Sequence, residues 1–283
     1  MTTLTRQDRS RLLDAMLRCA LLAGEIVWDH FNGHIAVERK ADESPVTAAD
    51  RAAEAVILSG LAEAAADIPV VAEEETAAGR VPSIGERFFL VDPLDGTKEF
   101  IQRGTDFTVN IGLIELGLPT LGVVYAPARS TMYWGDVNHK DARRADQPPR
   151  GARGGVESIS VRTPAVPLCA VASKSHNTPE TEAWLAAAGV GNRVSIGSSL
   201  KFVLVAGGEA DVYPRPAPTM EWDTAAGDAV LRAAGGRVFD PDGRPLKYGK
   251  PRFFNPGFIA TGPYEPALLR PYMSRSESAE TAP

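Results

Sequence analysis

The stretch Val91-Asp92-Pro93-Leu94-Asp95-Gly96-Thr97 follows the apolar run Phe88-Phe89-Leu90, which predicts a buried strand. We expect this strand to end at the proline, because proline cannot donate a ladder hydrogen bond. The two aspartates then lie on a turn, with a backbone carbonyl between them and a threonine hydroxyl after them. Oxygen ligands of this kind suit Mg²⁺. The alternative is an ordinary β-turn in which the aspartates hydrogen-bond their own backbone.

The composition limits the class of protein. A chain of 283 residues forms one large domain or two coupled halves, and a hydrophobic content of 44% is enough for a sizeable core. The formal net charge of −6 argues against a general nucleic-acid or anionic-membrane binder. A small phosphorylated ligand is compatible with this charge, because bound metal ions can supply positive charge locally.

The cysteine content and the N-terminal residues bear on location. The two cysteines, Cys19 and Cys169, form neither a disulfide framework nor a zinc pattern, which favours a reducing compartment. Charged residues scattered over residues 6–18 exclude an apolar signal core, and no uncharged run approaches the roughly 20 residues that span a bilayer. We therefore expect a soluble, cytoplasmic protein, with peripheral association with the inner membrane as the alternative.

The first half of the chain mixes helices with strands. Helical spacing of apolar residues predicts an amphipathic helix over residues 5–31, followed by a short strand over 35–39. Thr47 and Asp50 are spaced like a capping box, so we expect a helix to begin there and to run to about Ala66. Asp50 is then either this cap or an acid that also orients a catalytic hydroxyl or binds a metal.

Three adjacent acids follow a short predicted strand over residues 69–72. Glu73, Glu74 and Glu75 repel one another unless a cation lies nearby. On an exposed loop this repulsion is screened, and the acids form a solvated tip. If the strand continues, alternate acids face the same side of the sheet. A turn at this point would instead aim Glu73 and Glu74 in different directions.

The rest of the first half predicts further strands and a loop. An antiparallel hairpin is expected over residues 106–116 and 120–125, with another strand over 131–135. Residues 139–155 are polar and rich in Arg, Gly and Pro, which indicates a mobile loop. The arginines of this loop either cover a phosphate or belong to a solvated surface.

The second half alternates strands with helices. The pattern predicts strands over residues 168–173, 193–196, 211–213 and 237–239, and helices over 179–188, 198–207 and 224–234. Such alternation is typical of an α/β unit with largely parallel pairing. From about residue 274 the tail is polar and acidic, which predicts disorder.

Four acids form a proposed metal cage. Glu73, Asp92, Asp95 and Asp223 each lie where a strand ends or a helix begins. Such positions project side chains into a shared crevice of α/β folds. Carboxylates gathered there raise one another's pKa unless divalent cations pair with them. Two Mg²⁺ ions about 4 Å apart can activate a water and stabilise a leaving oxygen, as hydrolysis of a phosphomonoester requires. The alternative for Asp223 is an N-cap of the helix that follows it.

A second candidate ligand site lies at the start of the helix over residues 198–207. Gly197-Ser198-Ser199 is either a plain helix start or an anion pocket made by free backbone N–H groups. Lys201, in the first turn of that helix, would complement a phosphate there, or it is an ordinary surface cation. The residue types leave both alternatives open.

Motifs along the chain resemble those of a known family. The stretch Asp92 to Thr97, the preceding Glu73-Glu74 and the later residues 222–227 resemble the inositol monophosphatase superfamily. Longer strings resemble the CysQ-type 3′(2′),5′-bisphosphate nucleotidases of that superfamily, and they occupy residues 45–50, 92–101, 197–201 and 255–258. The likeness runs from about residue 10 to residue 262 in the family's order.

The resemblance implies a five-layered αβαβα sandwich of the α/β class. An N-terminal α+β half over residues 1–155 would carry most of the metal-binding acids, a C-terminal α/β half over 156–273 would complete the site, and 274–283 would form a disordered tail. The resemblance also implies Mg²⁺-dependent, Li⁺-sensitive hydrolysis of adenosine 3′,5′-bisphosphate, with two or three ions, by a monomer or homodimer. This nucleotide is a by-product of sulfate assimilation.

The resemblance assigns roles to individual residues as well. The metal ligands would be Glu73, Asp92, the Leu94 carbonyl, Asp95 and Asp223. The residues that orient or support the attacking water would be Asp50, Glu74 and Thr97. The substrate contacts would be Asp95, Gly96, Thr97, Ser198, Ser199, Lys201 and Asp223, with Tyr213, Arg215 and Glu221 as weaker candidates.

Two alternative functions stay open. A phosphatase for inositol or sugar phosphates would use the same scaffold, and the preferred substrate would distinguish it. A catalytically silent module would bind metal or nucleotide without turnover, and the complete acid set together with Thr97 argues against it. Residues 140–155 and the tail depart from the compact family pattern, which affects what covers the site rather than its chemistry.

Overall fold

The computed structural model describes residues 3–35, 37–39, 45–173 and 178–273. The predicted disordered tail over 274–283 lies outside these residues. The elements of the first half are, in chain order, α1 Arg6–Asn32, β1 Val37–Arg39, β2 Pro45–Thr47, α2 Ala48–Ala64, β3 Val70–Ala72, α3 Glu73–Ala77, β4 Arg87–Asp95, α4 Thr97–Ile101, β5 Thr108–Glu115, β6 Leu118–Ala126, β7 Thr131–Asp136, β8 Asp141–Asp146 and β9 Val156–Ser158.

The second half contributes the remaining elements. They are β10 Leu168–Ser173, α5 Pro179–Ala187, β11 Val190–Ile196, α6 Leu200–Ala206, β12 Val212–Arg215, β13 Thr219–Met220, α7 Trp222–Ala233, β14 Arg237–Phe239, β15 Phe254–Asn255 and β16 Phe258–Thr261. Strands β3 to β9 form one sheet in chain order, and a second sheet has the order β11-β10-β12-β16-β14. Two small two-stranded sheets join β1 to β2 and β13 to β15.

Three clusters of buried side chains divide the molecule into layers. The first lies between helices α1 and α2 and one face of the seven-stranded sheet. The second fills the space around α6 and α7, between the other face of that sheet and the five-stranded sheet. The third packs α5 against the five-stranded sheet. The order helix, sheet, helix, sheet, helix is the predicted αβαβα sandwich, and the α/β fold class is confirmed.

Strand β4 shows how the sequence produces these layers. Phe89 and Val91 pack into the cluster with α1 and α2, whereas Phe88 and Leu90 pack into the cluster with α6 and α7. Successive side chains of a strand point to opposite faces of its sheet. A strand covered on both faces therefore needs apolar residues throughout rather than in alternation.

The end of β4 differs from the prediction. The strand does not stop at Pro93 but continues to Asp95, with a register shift on the way. Asp92 lies opposite Asn110 and Asp95 lies opposite Thr108, so two residues of β4 face a single residue of β5. This is a β-bulge, and a bulge tolerates proline because it interrupts the ladder of hydrogen bonds. The bulge places both aspartates at the strand end without breaking the sheet.

Two further predictions about strands were wrong. Residues 139–155 are not simply a loop, because β8 forms within them and pairs with β7, and β9 follows at Val156–Ser158. Pairing with a neighbouring strand satisfies the backbone of this polar segment, and composition does not report such pairing. The five-stranded sheet is also only half parallel: β10 pairs in parallel with β11 and β12, but β16 pairs antiparallel with β12 and β14. The division into halves at residue 155 stays a prediction.

A stripe of three glycines brings α7 close to the seven-stranded sheet. Gly112, Gly122 and Gly135 lie side by side on β5, β6 and β7. A Cβ atom added at Gly112 or Gly135 would lie 2.9 or 2.8 Å from an alanine Cβ of α7, and one at Gly122 would overlap the Ala226 carbonyl oxygen. The backbone of α7 therefore rests directly on the sheet, which fixes the position of its first turn.

We predict that Gly122→Ala destabilises the protein. The added methyl group meets backbone rather than a flexible side chain. The free energy of unfolding should therefore fall by about 2 kcal/mol, which is the usual cost of overpacking a core. Urea unfolding measures this change. Gly85→Ala is the matched control, because nothing lies within 4 Å of the added atom. Equal stabilities for the two variants would show that α7 does not need the glycine stripe.

A buried arginine ties α1 to the same sheet. Arg9 is 2% exposed and donates hydrogen bonds to Glu115 at 2.7 Å, to Asp136 at 2.8 Å and to the Thr120 carbonyl at 2.8 Å. Burial raises the pKa of Asp136, but hydrogen bonds from Arg9 and His139 outweigh burial and leave that pKa below its ordinary value. A lowered pKa stabilises the fold at pH values above the pKa of the same group in the unfolded chain. This stabilisation is lost as the pH falls through the folded-state pKa.

We predict that Arg9→Met lowers the free energy of unfolding by about 3 kcal/mol at pH 7, because it leaves Asp136 without its main cation and Glu115 with Arg87 alone. The loss should shrink below about pH 4, where the carboxylates bind protons in the variant. Arg193→Met removes an exposed ion pair with Glu182 and should cost no more than about 1 kcal/mol. Urea unfolding at pH 7 and pH 3.5 tests both points, and a loss that is independent of pH would contradict the electrostatic explanation.

Candidate active site

One cavity collects most of the predicted site residues. It has a volume of about 300 Å³ and lies where β4 ends and where α3, α6 and α7 begin. Both halves of the chain contribute to its walls, which include Glu73, Asp95, Gly96, Thr97, Ser198, Ser199, Lys201, Tyr213, Arg215 and Asp223. Acids that are 150 residues apart in sequence therefore share one crevice.

The carboxylates of this crevice strongly affect one another. Burial raises the pKa of Asp92 well above its ordinary value, and the negative charges of Glu73, Asp95 and Asp223 raise it further. The pKa of Asp223 is also raised, first by burial and then by the charges of Asp95 and Glu73. For Asp95, burial raises the pKa against the opposing effects of Lys201 and a backbone hydrogen bond. The crevice therefore concentrates negative charge that a cation would offset.

The chemistry of these donors fits Mg²⁺. The set consists of carboxylate and carbonyl oxygens, which are the ligands that this ion prefers. Within the described part of the chain, no three Asp, Glu, His or Cys side chains form a ready-made cluster that could hold a metal ion. The residues thus supply suitable donors without closing a cage by themselves. Mg²⁺ commonly takes only some of its ligands from protein and keeps waters or substrate phosphate in the remaining positions.

The Thr97 hydroxyl connects the end of strand β4 with the start of helix α2. Its hydroxyl lies 3.1 Å from the Leu94 carbonyl and 3.2 Å from Asp50, and it can donate to either oxygen. The other carboxylate oxygen of Asp50 accepts hydrogen bonds from the backbone and side chain of Thr47 at 2.7 and 2.6 Å. Asp50 therefore forms the predicted capping box and also holds the Thr97 hydroxyl. The two interpretations of Asp50 are compatible.

Gly96 allows the turn between these residues. Its φ of 92° lies in the left-handed region, and a Cβ atom there would lie 2.8 Å from the Asp106 carbonyl oxygen. A residue with a side chain would be strained by both the backbone angle and the contact. Gly96 shapes the wall of the cavity through its backbone.

The three adjacent acids do not continue a strand. Glu73, Glu74 and Glu75 form the first turn of α3, so the alternation expected for a strand does not apply. The sequence analysis did not identify Glu54 of α2 as a partner of these acids. Its two carboxylate oxygens accept hydrogen bonds from the backbone N–H groups of Glu74 and Glu75, both at 2.8 Å. Burial raises the pKa of Glu54 to about 7. Glu73 lines the 300 Å³ cavity, whereas Glu74 lines a separate cavity of about 380 Å³.

Asp223 and Glu221 differ from their predicted settings. Helix α7 begins at Trp222, so Asp223 lies in its first turn and is not its N-cap, and it accepts the backbone N–H of Met220 at 2.9 Å. Glu221 is fully buried and accepts hydrogen bonds from the backbone and side chain of Lys250. Glu221 does not line the cavity, which makes it a poor candidate for substrate contact, whereas the other two weaker candidates do line it.

The turn before α6 is occupied by internal hydrogen bonds. The Ser199 N–H donates to Asp95 at 2.5 Å and is not available as part of an anion pocket. Lys201 is 6% exposed, so the alternative of an ordinary surface cation is wrong. Its amino group donates to the Ser198 carbonyl at 2.5 Å, and burial lowers its pKa to about 8. Lys201 brings a cation into the wall of an otherwise acidic cavity.

No helix in the described ranges is both long and apolar enough to cross a bilayer.

Comparisons with known proteins agree with this geometry. A model of the inositol monophosphatase family matches residues 8–268. The chain is 46% identical over 254 residues to the 3′(2′),5′-bisphosphate nucleotidase CysQ of Salmonella typhimurium, which covers 88% of this chain and 99% of that protein. It is also 46% identical over 251 residues to the protein of the same name from Escherichia coli K12, covering 87% of this chain and 98% of that protein.

Solved structures give the same result. CysQ from Bacteroides thetaiotaomicron superposes with a TM-score of 0.76 at 38% identity, covering 89% of this chain and 97% of that one. An inositol monophosphatase from Anabaena superposes with a TM-score of 0.71 at 26% identity, covering 96% of each chain. The resemblance inferred from the motifs is confirmed, and the chain belongs to the inositol monophosphatase family.

Proposed function

We propose that this protein is a Mg²⁺-dependent 3′(2′),5′-bisphosphate nucleotidase that hydrolyses adenosine 3′,5′-bisphosphate to AMP and phosphate. The observation that carries the proposal is the convergence of Glu73, Asp95 and Asp223 with Lys201 in one cavity. Similarity to relatives named CysQ over nearly their full length supports the choice of substrate. The reaction is the hydrolysis of a phosphomonoester by water.

Three acids of the cavity and two buried neighbours would hold the metal. Glu73, Asp92, Asp95, Asp223 and the Leu94 carbonyl are the proposed ligands for two or three Mg²⁺ ions. When bound, these ions supply Lewis acidity, lower the pKa of a water and neutralise phosphate charge. The raised pKa values of Asp92 and Asp223 support this assignment, because burial and neighbouring acids destabilise their charged forms and a bound cation would offset this cost.

Thr97 and Asp50 would orient the attacking water, whereas Glu74 lines a separate cavity and would support the water only indirectly. A hydroxyl has one proton to donate and two lone pairs to accept with. While the Thr97 proton points to Asp50 or to the Leu94 carbonyl, its lone pairs are free to accept a hydrogen bond from water in the cavity. Asp50 fixes that orientation because Thr47 holds its other oxygen. The pair thus presents an acceptor at a defined position.

Substrate selection would depend on the cationic side of the cavity. Lys201 and Arg215 both lower the pKa of Asp95, so their positive charges lie close to it. We propose that they attract the phosphates of the substrate, with Ser198, Gly96 and Tyr213 completing the wall. A substrate with one phosphate would leave part of this buried charge unpaired, which a selective site penalises.

The proposed setting is the cytoplasm, with the enzyme free or peripheral to the inner membrane. Its role there would be the recycling of a by-product of sulfate assimilation. We propose inhibition by Li⁺ and a monomeric or homodimeric state. These points rest on the motif resemblance to the CysQ-type nucleotidases rather than on the geometry of the site.

We predict that phosphate release from adenosine 3′,5′-bisphosphate exceeds release from inositol 1-phosphate by at least about tenfold in kcat/KM, because the second phosphate pairs with the cations of the cavity. A phosphate assay with Mg²⁺, with EDTA, and with Mg²⁺ plus Li⁺ measures the ranking and the metal dependence. The opposite ranking would favour an inositol or sugar phosphatase on the same fold. Nucleotide binding without turnover would favour a silent regulatory module.

We predict that Thr97→Val lowers kcat about a hundredfold with little change in KM, because valine keeps the shape but loses the hydroxyl that orients water. Thr131→Val is the control, since that hydroxyl donates to the Arg129 carbonyl and Thr131 does not line the cavity. Steady-state kinetics at saturating Mg²⁺ measures kcat and KM for both variants. A kcat within threefold of the wild-type value would remove Thr97 from the proposed mechanism.

A further inference from the structure

The turn over residues 197–199 has a strained backbone. Ser198 has a φ of 49°, in the left-handed region that residues with side chains rarely adopt. Such a conformation is unfavourable by itself and persists when surrounding contacts hold it in place. The contacts that hold this turn come from the N-terminal half of the chain. The Gly197 N–H donates to Asp106 at 3.0 Å, and the Ser199 side chain reaches β5.

Three buried polar side chains close a ring of hydrogen bonds at this point. The Ser199 hydroxyl donates to the Asn110 amide oxygen at 2.7 Å. The Asn110 amide nitrogen donates to the Thr108 hydroxyl at 3.2 Å, and the Thr108 hydroxyl lies 2.8 Å from that of Ser199. In this arrangement each group donates to the next. Thr108 and Asn110 are 0% exposed and Ser199 is 2% exposed, so water does not compete with the ring.

The ring connects to the acid cluster through one backbone group. Ser199 occupies the N-cap position of α6, where serine usually caps the helix with its hydroxyl, but its side chain makes no such bond. The hydroxyl is committed to β5 instead, and the Ser199 N–H donates to Asp95 at 2.5 Å. Whatever fixes Ser199 therefore fixes one oxygen of the Asp95 carboxylate.

We propose that Asn110 is a positioning residue for Asp95, acting through Ser199 within this ring, and that the ring sets the affinity of the site for Mg²⁺. The inference rests on the proposed function. An amide suits the position because it offers both an acceptor to Ser199 and a donor to Thr108 while adding no charge. An aspartate there would lie opposite Asp92 and add to the repulsion among the acids. Ser199 is accordingly a positioning residue rather than a substrate contact through its side chain.

A structural role alone would give a different result. If the ring only joined the two halves of the chain, its loss would lower stability and leave metal affinity unchanged. If it orients a metal ligand, its loss should weaken metal binding about tenfold, as for other partners of ligating groups. The two roles separate in a direct binding measurement.

The test uses the full-length chain and three variants, Ser199→Ala, Asn110→Leu and the double variant. Calorimetric titration with Mg²⁺ without substrate gives the affinity, and kinetics and thermal unfolding are measured in parallel. We expect about tenfold weaker Mg²⁺ binding in each single variant, with kcat recovering at high Mg²⁺. The double variant should bind Mg²⁺ no more weakly than the single variant with the lower affinity, because both changes break the same ring.

Thr261→Val is the matched control. It removes another fully buried hydroxyl, one that donates to the Gly262 carbonyl, far from the ring in sequence. This variant should lose stability without losing Mg²⁺ affinity. Ser199→Ala removes a single oxygen, so it keeps the test valid if Asn110→Leu does not fold.

Two results overturn the inference in distinguishable ways. Mg²⁺ affinities of the ring variants within twofold of the wild-type value, alongside wild-type turnover of the bisphosphate, would refute the positioning role alone. A wild-type protein that neither binds Mg²⁺ nor releases phosphate would refute the proposed function, and the inference with it.

Discussion

Repulsion among buried carboxylates is the interaction on which this structure depends. Burial raises the pKa of Asp92 and of Asp223, and the negative charges of Asp95 and Glu73 raise both further. Such an arrangement is unfavourable for folding, so the scaffold must hold it. A phosphorylated substrate brings still more negative charge. Cations are needed to offset this negative charge. The chain itself supplies Lys201 and Arg215, and the oxygen donors of the acids suit Mg²⁺.

The scaffold meets this demand with rigid elements from both halves. The bulge of β4 places two aspartates at a strand end that the sheet supports. The glycine stripe lets α7 approach the same sheet, which brings Asp223 to that edge. The turn before α6 adds a backbone donor to Asp95 and a buried lysine. Each of these elements is itself held by contacts to other parts of the chain, so the geometry of the acids is a property of the whole fold.

Local patterns in the sequence predicted much of this arrangement. The apolar run before Asp92 predicted a buried strand, and the spacing of Thr47 and Asp50 predicted a capping box. The motifs predicted the family. The features that were missed depend on contacts distant in sequence. Strand β8 exists because β7 is beside it. The role of Glu54 depends on a backbone N–H group 20 residues away, and the role of Asn110 depends on a side chain 89 residues away. Composition and periodicity carry no information about such partners.

Location of the cations tests this explanation most directly. Crystals grown with Mn²⁺ in place of Mg²⁺ would show the ions by their anomalous scattering. We predict anomalous peaks in the 300 Å³ cavity, in contact with the carboxylates of Glu73, Asp95 and Asp223 that line it and of the neighbouring Asp92. Peaks confined to other parts of the surface, with the cavity free of Mn²⁺ at saturating concentration, would contradict it.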